Sequence, residues 1–404
     1  MKMEEHKKKK QVWIINQYIT TPILGGKTHR HFGLARCLKK DNNITLFTGT
    51  FSHLHNNKPL KKINEEGIEI INFKLVKYKN MVLRVFNMFQ YVFKLRLFQY
   101  KTISKPDIIV ISSMSLLPLL LINYYKKIFP QVKIVHEIRD LWPLTPILMG
   151  GYSNKHPFIK LLSHCEKIGY EKADFFVSNL YKADLHIKKN TVNREEVPFS
   201  WVSNGFDNKE QNQKLSKDIF EKIPKDKFLI GYAGTLGIAN SMDRVIDAMN
   251  LLLDRDIHLC IVGRGYLKEK LKLKSNKNVS FLGEIPKNQV NCFLKIMDIC
   301  ILSWQDLEIY KYGISPNKIF DYMYASKPIL MIGKINDTII DKSDCGWVLK
   351  ELEPATIALK IIEISELNFN YLNNLGSNGR MYLDENFTYE KLASKFQIEV
   401  LDKL

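Results

Sequence analysis

Short β-branched runs alternate with amphipathic stretches along the whole chain, and the series starts again near the middle. In the first half, Val12 to Asn16, Ile44 to Thr48, Ile68 to Phe73, Ile108 to Ser112, Val132 to Glu137 and Phe175 to Ser178 predict strands. Several are apolar on both faces, as a parallel strand covered by helices on each side must be. Helical spacing fills most of the gaps, for example Thr28 to Lys40 and Phe158 to Glu171. After Trp201-Val202-Ser203-Asn204-Gly205 a second series follows. Its strands are expected at Phe228 to Ala233, His258 to Gly263, Val279 to Leu282, Ile299 to Leu302 and Pro328 to Ile332. Its helices are expected near Met242 to Leu253, Leu267 to Lys274, Lys287 to Lys295 and Pro316 to Ala325.

The pattern predicts an α/β chain of two doubly wound, Rossmann-like domains, residues 1–207 and 208–385. The last helical stretch, Tyr389 to Leu401, has no strand after it, so 386–404 is expected to pack back on the first domain. Two such domains would face each other across a cleft. Ligands of open α/β sheets bind beyond the carboxyl ends of the strands, so that cleft is the expected site. A chain of 404 residues is long enough for two cores.

Neither long apolar stretch predicts a membrane span. Met81 to Tyr100 contains Arg84, Lys94 and Arg96, and Ser113 to Tyr125 is short and broken by Pro118; a span needs about 20 predominantly apolar residues. The lysine run Lys7 to Lys10 precedes a strand rather than an apolar signal region, so no secretory leader is expected. Six scattered cysteines without a CxxC pair predict reduced thiols in a cytoplasmic protein. The pairs His29/His31 and His53/His55 lack an acidic or cysteine neighbour, so no metal site is expected.

Charge changes the picture. Residues 1–207 hold 33 basic and 16 acidic side chains, whereas the remainder holds 27 and 26. A one-sided excess of this kind points to an anionic partner, either nucleic acid or an acidic membrane face. No nucleic-acid recognition motif is evident, and the glycine loops fall at strand ends, so nucleic acid is not expected. The stretch Met81 to Lys101 sets Val82, Phe86, Phe89, Phe93 and Phe98 among Arg84, Lys94 and Arg96. A basic aromatic helix of that composition can lie on an anionic leaflet, and it can equally cover a sheet.

Candidate chemistry concentrates in Tyr312-Gly313-Ile314-Ser315-Pro316-Asn317-Lys318-Ile319-Phe320-Asp321-Tyr322-Met323. Ser315 suits an N-cap and Pro316 the first helical position. The open amides and positive end of that helix, with Lys318, form an anion site. Asp321, one turn on, could accept two ribose hydroxyls. A phosphate and a ribose recognised one turn apart describe a nucleotide. Glycine loops follow other strands: Pro22-Ile23-Leu24-Gly25-Gly26-Lys27-Thr28, Gly231-Tyr232-Ala233-Gly234-Thr235-Leu236-Gly237 and Val262-Gly263-Arg264-Gly265. Such loops let backbone approach a phosphate or a base closely.

These segments, with His136-Glu137-Ile138-Arg139-Asp140-Leu141-Trp142-Pro143 and the Val202-Ser203-Asn204-Gly205-Phe206-Asp207 linker, carry a resemblance. Over essentially its whole length the chain resembles family 4 of the retaining glycosyltransferases, found in bacterial capsule and O-antigen assembly. The resemblance implies the two-domain GT-B fold and transfer, with retention, of a hexose or N-acetylhexosamine-type sugar. It implies a UDP-sugar donor, a polyprenyl-diphosphate-linked saccharide acceptor and no further cofactor. The place of action implied is the inner face of an anionic membrane, reached peripherally from the cytoplasm. Asp321 stands where the family's second glutamate binds the donor ribose, and Gly25 and Gly26 match the loop facing diphosphate and acceptor. His136 matches the histidine near the transferred sugar, and the Gly263 loop meets the base. Gly234, Thr235, Arg264, Ser315, Pro316 and Asn317 complete the implied donor site.

The sequence departs from the family at two places. Tyr310, Tyr312 and Gly313 occupy the neighbourhood of the first acid of the pair, with Glu308 offset, and the usual arginine and lysine are missing from Thr235 to Asp243. Lys318 is the first candidate to neutralise the leaving diphosphate, with Arg264 second. Front-face attack needs no enzyme nucleophile. Double displacement needs a carboxylate beneath the sugar, for which Glu137 and Asp140 are the candidates. Asp140 could instead pair with Arg139 or cap a turn, and His136 could be a core histidine. A nucleotide-sugar epimerase of the same fold and a basic nucleic-acid- or membrane-binding protein are the alternatives.

Overall fold

The apolar runs assemble into two parallel sheets, each the centre of its own unit. The computed structural model describes residues 8–25, 30–51, 62–191, 196–207 and 213–404. One compact unit comprises 1–205 with 389–404, and the other comprises 206–388. The fold is of the GT-B class, α/β with two Rossmann-like sheets.

In the first unit the strands are β1 (Lys10–Ile15), β2 (Asn42–Gly49), β3 (Lys62–Glu65), β4 (Ile68–Phe73), β5 (Ile108–Ser112), β6 (Lys133–Ile138), β7 (Phe175–Ser178) and β8 (Phe199–Trp201). Their order is β3-β4-β2-β1-β5-β6-β7-β8, all parallel except the β3–β4 pair. The chain winds outward in both directions from β1, so the strand order reverses between β1 and β5. Crevices open at such a reversal. The short strands β3 and β8 are additions to the sequence-based expectation. Every residue of β5 and β7 is buried, which is why these strands read as unbroken apolar runs.

Aromatic side chains fill the first core. Trp13 stacks on Tyr100 with centroids 5.2 Å apart and meets Phe129 edge-on. The helix Met81–Leu97 packs through Asn87, Met88, Tyr91 and Leu95, and the Tyr91 hydroxyl donates to the Phe47 carbonyl at 2.8 Å. The stretch around Pro118 forms a short 3-10 helix, Leu117–Leu121, and the α-helix Ile122–Ile128. Among the described residues no helix is long and apolar enough to cross a membrane.

The second unit holds β9 (Phe228–Ala233), β10 (Ile257–Val262), β11 (Val279–Gly283), β12 (Ile299–Ser303), β13 (Ile329–Ile332) and β14 (Gly346–Leu349). They are ordered β11-β10-β9-β12-β13-β14 and all parallel, with β9 between β10 and β12. Strand β14 and the helices Pro354–Ser365 and Phe369–Asn386 extend the expected series. Helix Tyr389–Phe396 belongs to the first unit, where it lies on the helix Arg30–Leu38.

Candidate active site

Two clusters of polar side chains form at strand ends, one in each unit. In the second unit, the loop after β9 and the loop after β10 lie against each other. The Gly234 amide donates to the Val262 carbonyl at 3.0 Å and the Leu236 amide to the Arg264 carbonyl at 2.9 Å. A Cβ on Gly263, whose φ is +142°, would stand 1.9 Å from the Gly234 oxygen, and one on Gly265 would stand 2.0 Å from the Leu236 oxygen. The close approach that these glycines permit is therefore to a neighbouring backbone. No ligand is needed to explain them.

The helix Asn317–Tyr324 is pinned beneath these loops by Tyr322. Its buried hydroxyl accepts from the Ala233 amide at 3.1 Å. The helix begins one residue later than expected: Pro316 occupies the cap position, and Ser315 precedes it without capping. Proline has no N–H to leave unpaired and its ring suits a helix entrance. Lys318 then projects over Gly234, where a Cβ would meet its Cε at 2.5 Å. Its Nζ donates to the Tyr232 hydroxyl at 2.9 Å and to the Asn240 side-chain oxygen. It also stands 4.7 Å from the Tyr232 ring centre and 5.9 Å from that of Trp304. Tyr232 and Asn240 both donate onward to the Thr235 carbonyl, at 2.7 and 2.9 Å. Burial pushes the Lys318 ammonium down to about 7. Among the described residues no carboxylate pairs with it.

The structure brings Lys318, Gly234 and Thr235 together, and adds Tyr232, Asn240 and Trp304 to them. Asn240 lies in the loop after β9, and Lys318 reaches it from the helix Asn317–Tyr324. Other expected members lie apart from this group. Arg264 is exposed and reaches Glu284 at 3.6 Å. Asp321 forms an ion pair with Lys287 on the helix Lys287–Ile296, so it and Lys318 have separate partners. Glu308 pairs with Lys311 on an exposed turn and does not replace the missing acid.

In the first unit, β6 sends alternate residues to opposite faces. His136 points into the core against Tyr170 and Phe176, and Gly169 is small enough to let the ring approach. Neither ring nitrogen has a hydrogen-bond partner, and burial pushes the imidazole down to about 3. His136 is thus an enclosed, neutral core residue, which corrects its expected place beside a transferred sugar.

Glu137 faces the other way. Its Oε1 accepts from Arg30 Nε at 3.1 Å and Nη2 at 3.0 Å, and its Oε2 lies 2.7 Å from His31 Nε2. Arg30 also donates to the Val202 carbonyl at 2.8 Å and to the Ser203 carbonyl. Ser112 stands 3.1 Å from the same His31 nitrogen, and Asn16 donates to the Ser112 hydroxyl at 3.0 Å. All these groups are buried at the carboxyl ends of β1, β5, β6 and β8. Arg30 and His31 hold the Glu137 carboxyl well below the usual carboxylate range despite its burial. A carboxylate bound on both oxygens is a structural counter-ion, not a free nucleophile.

Asp140 closes the turn after β6. Its two oxygens accept from the Trp142 indole at 3.1 Å and the Thr145 hydroxyl at 2.6 Å. Burial raises its carboxyl, and both oxygens are committed to this turn. Gly25 adopts φ +75° and bridges to Thr21. Its loop is fastened by buried Glu65 at the end of β3, which accepts from the Ile23 amide at 3.0 Å and from the Thr21 hydroxyl. Gly26, His29, His53 and His55 lie outside the described residues. Among the described residues no three of His, Cys, Asp and Glu converge as a metal-binding group. No disulfide joins any of the six cysteines.

The fold is that of the GT-B class, and comparison with known proteins adds likenesses in sequence. Residues 214–382 match the family described as Glycosyl transferases group 1. The chain is 25% identical over 279 residues to the probable glycosyltransferase WbjE of Pseudomonas aeruginosa, covering 66% of this chain and 67% of that one. Among solved structures it is similar to a sucrose-phosphate synthase from Thermosynechococcus elongatus, with a TM-score of 0.72, 13% identity and 98% of each chain covered. It is also similar to Anabaena HepE in complex with UDP and glucose, with a TM-score of 0.66, 15% identity and 98% and 100% covered. These likenesses support glycosyl transfer as the class of activity.

Proposed function

We propose that the protein is a retaining glycosyltransferase that moves a hexose or N-acetylhexosamine-type residue from a UDP-sugar to a lipid-linked saccharide in surface polysaccharide assembly. The observation that carries this reading is Lys318: a half-buried amine in an uncharged setting of Tyr232, Asn240 and Trp304, beside a glycine loop, with no acid of its own. Such a group gains its counter-charge from a ligand. A diphosphate at the Gly234 loop supplies it, and the ammonium then stabilises the charge that develops as the nucleotide leaves. The first-turn amides of the helix Asn317–Tyr324 add to that field. With the leaving group neutralised in this way, the reaction needs no metal ion. Asp321 exchanges its ion pair with Lys287 for the ribose hydroxyls when the donor binds. Because Glu137 and Asp140 are both committed to other partners, the reading takes attack from the front face of the sugar, with a donor phosphate oxygen accepting the acceptor proton.

Docking on the inner leaflet of an anionic membrane belongs to the same proposal. One face of the helix Met81–Leu97 is packed, and the other leaves Val82, Phe86, Phe89, Phe93 and Leu97 between 45% and 78% exposed. Their spacing of three and four residues makes one apolar stripe, with Lys94 on the same helix and Lys74, Lys77 and Lys79 in the segment just before it. A stripe of that kind beside lysines suits an acidic headgroup layer.

Thermal stability across UDP, GDP, ADP and CMP, with and without EDTA, tests the donor reading. Binding at a hundred times the dissociation constant stabilises by about 2.7 kcal/mol. A selective UDP shift that survives EDTA and is lost in Asp321→Ala is expected; no shift with any nucleotide would overturn it.

A further inference from the structure

Arg139 follows β6 directly, one residue before Asp140. The two acids beside it are both taken: Glu137 by Arg30 and His31, and Asp140 by Trp142 and Thr145. Its backbone amide is fixed by the Ser113 hydroxyl at 3.0 Å, so the residue is held in place at the end of β6. Among the described residues its guanidinium makes no hydrogen bond and no ion pair, and Nε is buried without a partner; Glu137 and Asp140 favour its charge only from a distance. The side chain is partly exposed. An arginine stripped of water on one edge and reachable on another is costly unless something anionic meets it.

Two other strand ends of the same sheet also carry buried polar atoms without partners. Ser115, beyond β5, and Ser203, beyond β8, have buried hydroxyls without partners. Ser203 is tied to this group through Arg30, which donates to its carbonyl. A guanidinium is a donor that phosphate oxygens satisfy, and its planar fork matches phosphate geometry better than a point charge does.

We propose that Arg139 binds a phosphate group of the acceptor, the diphosphate that joins the acceptor saccharide to its lipid, at the carboxyl end of β6. The assignment rests on the transferase reading and deepens it by giving the acceptor its own anion site, separate from Lys318. Arg139 thereby positions the acceptor and takes no part in bond breaking.

The test uses the full chain saturated with UDP, with farnesyl diphosphate, farnesol and inorganic pyrophosphate as probes in thermal-shift titrations. Farnesyl diphosphate should raise the melting temperature further in the wild type. Arg139→Gln should weaken that response by tenfold or more, and Arg139→Lys by less, while both variants keep the UDP shift. Farnesol should give no response that depends on residue 139. If pyrophosphate matches farnesyl diphosphate in the wild type and loses its effect in Arg139→Gln, the site recognises the phosphate alone; a response to the lipid form only assigns the lipid-linked source. Equal responses in wild type and Arg139→Gln, or none in the wild type, overturn the proposal. Absence of a UDP shift in the wild type would instead count against the donor reading, so the two failures are distinguishable.

Discussion

Lys318 Nζ donates to the Tyr232 hydroxyl at 2.9 Å, and the acceptor is a phenol whose own ionisation burial pushes far above its usual range. The pair is therefore neutral phenol and amine near pH 8, since burial brings the ammonium down to about 7. A bound diphosphate raises that value and draws a proton onto Nζ. UDP titrations at pH 8 in two buffers of different ionisation enthalpy should show uptake approaching one proton, and none in Lys318→Met. Identical heats in both buffers for the wild type would argue against Lys318 as the diphosphate partner.

The same lysine should weaken the free protein. Its folded value lies below the ordinary lysine value, so between pH 7 and about 10.5 the unfolded chain binds the extra proton. Stability from this group consequently rises with pH through that window and is reduced below it. Lys318→Met is expected to melt higher than the wild type at pH 7, by on the order of 1 kcal/mol or about 2–4 °C. The gap should close as pH approaches 10.5. A variant that melts lower at every pH would contradict this account.

Glu137 neutralises Arg30 where neither has access to water. Glu137→Ala leaves a buried guanidinium unpaired, which typically costs about 3–5 kcal/mol. Urea unfolding should show that loss. Replacing both partners with apolar residues, Arg30→Met with Glu137→Leu, should cost less than the single change. A single variant within about 0.5 kcal/mol of wild type would mean that solvent reaches this cluster.

Gly263 has a φ reserved for glycine and a backbone oxygen 1.9 Å from where a Cβ would be placed. Gly263→Ala forces the β9 and β10 loops apart, so Lys318 loses its register with Gly234. Strain of this kind costs roughly 1–3 kcal/mol. Nucleotide-dependent stabilisation should fall away even at temperatures where the variant is folded.

Burying an exposed phenylalanine contributes about 1.5–3 kcal/mol. Phe86→Ser, Phe89→Ser and Phe93→Ser together should therefore lower partition onto phosphatidylglycerol vesicles by at least a hundredfold, with the melting temperature little changed. Substituting Lys94 and the lysines at 74, 77 and 79 should weaken binding in a salt-dependent way. Unchanged vesicle sedimentation in both sets would exclude this face as the docking surface.

Much of the fold is legible in the sequence because the strands are buried on both sides. β4, β5, β7 and β9 begin and end where apolar runs meet polar residues. β3, with the sequence Lys-Ile-Asn-Glu, is an edge strand whose pairing with β4 comes from the turn at Glu66 and Gly67, both at positive φ, so it carries no apolar run to find. β8 has three residues, and β14 opens on a glycine.

The site was legible in its ionisable residues and hidden in their partners. Lys318 announces itself beside a proline-led helix, but Tyr232 lies 86 positions away and Asn240 is an ordinary amide in a loop. Period-two alternation separates His136 from Glu137, yet only the packing of Gly169 decides which of them faces the core. Arg30 and Glu137 are 107 residues apart, and neither segment contains a sign of the other.

The ring of Tyr389 fits against Gly33 and Gly205, where a Cβ would stand 2.6 and 2.7 Å from it. Its helix completes a unit whose strands all precede residue 206. A ribosome adds about 5–20 residues per second, so roughly 10–40 s pass between the emergence of Gly205 and that of Tyr389. During that interval residues 206–388 can finish folding while the surface of helix Arg30–Leu38 waits uncovered. The first half of this protein to be made is thus the last to be closed.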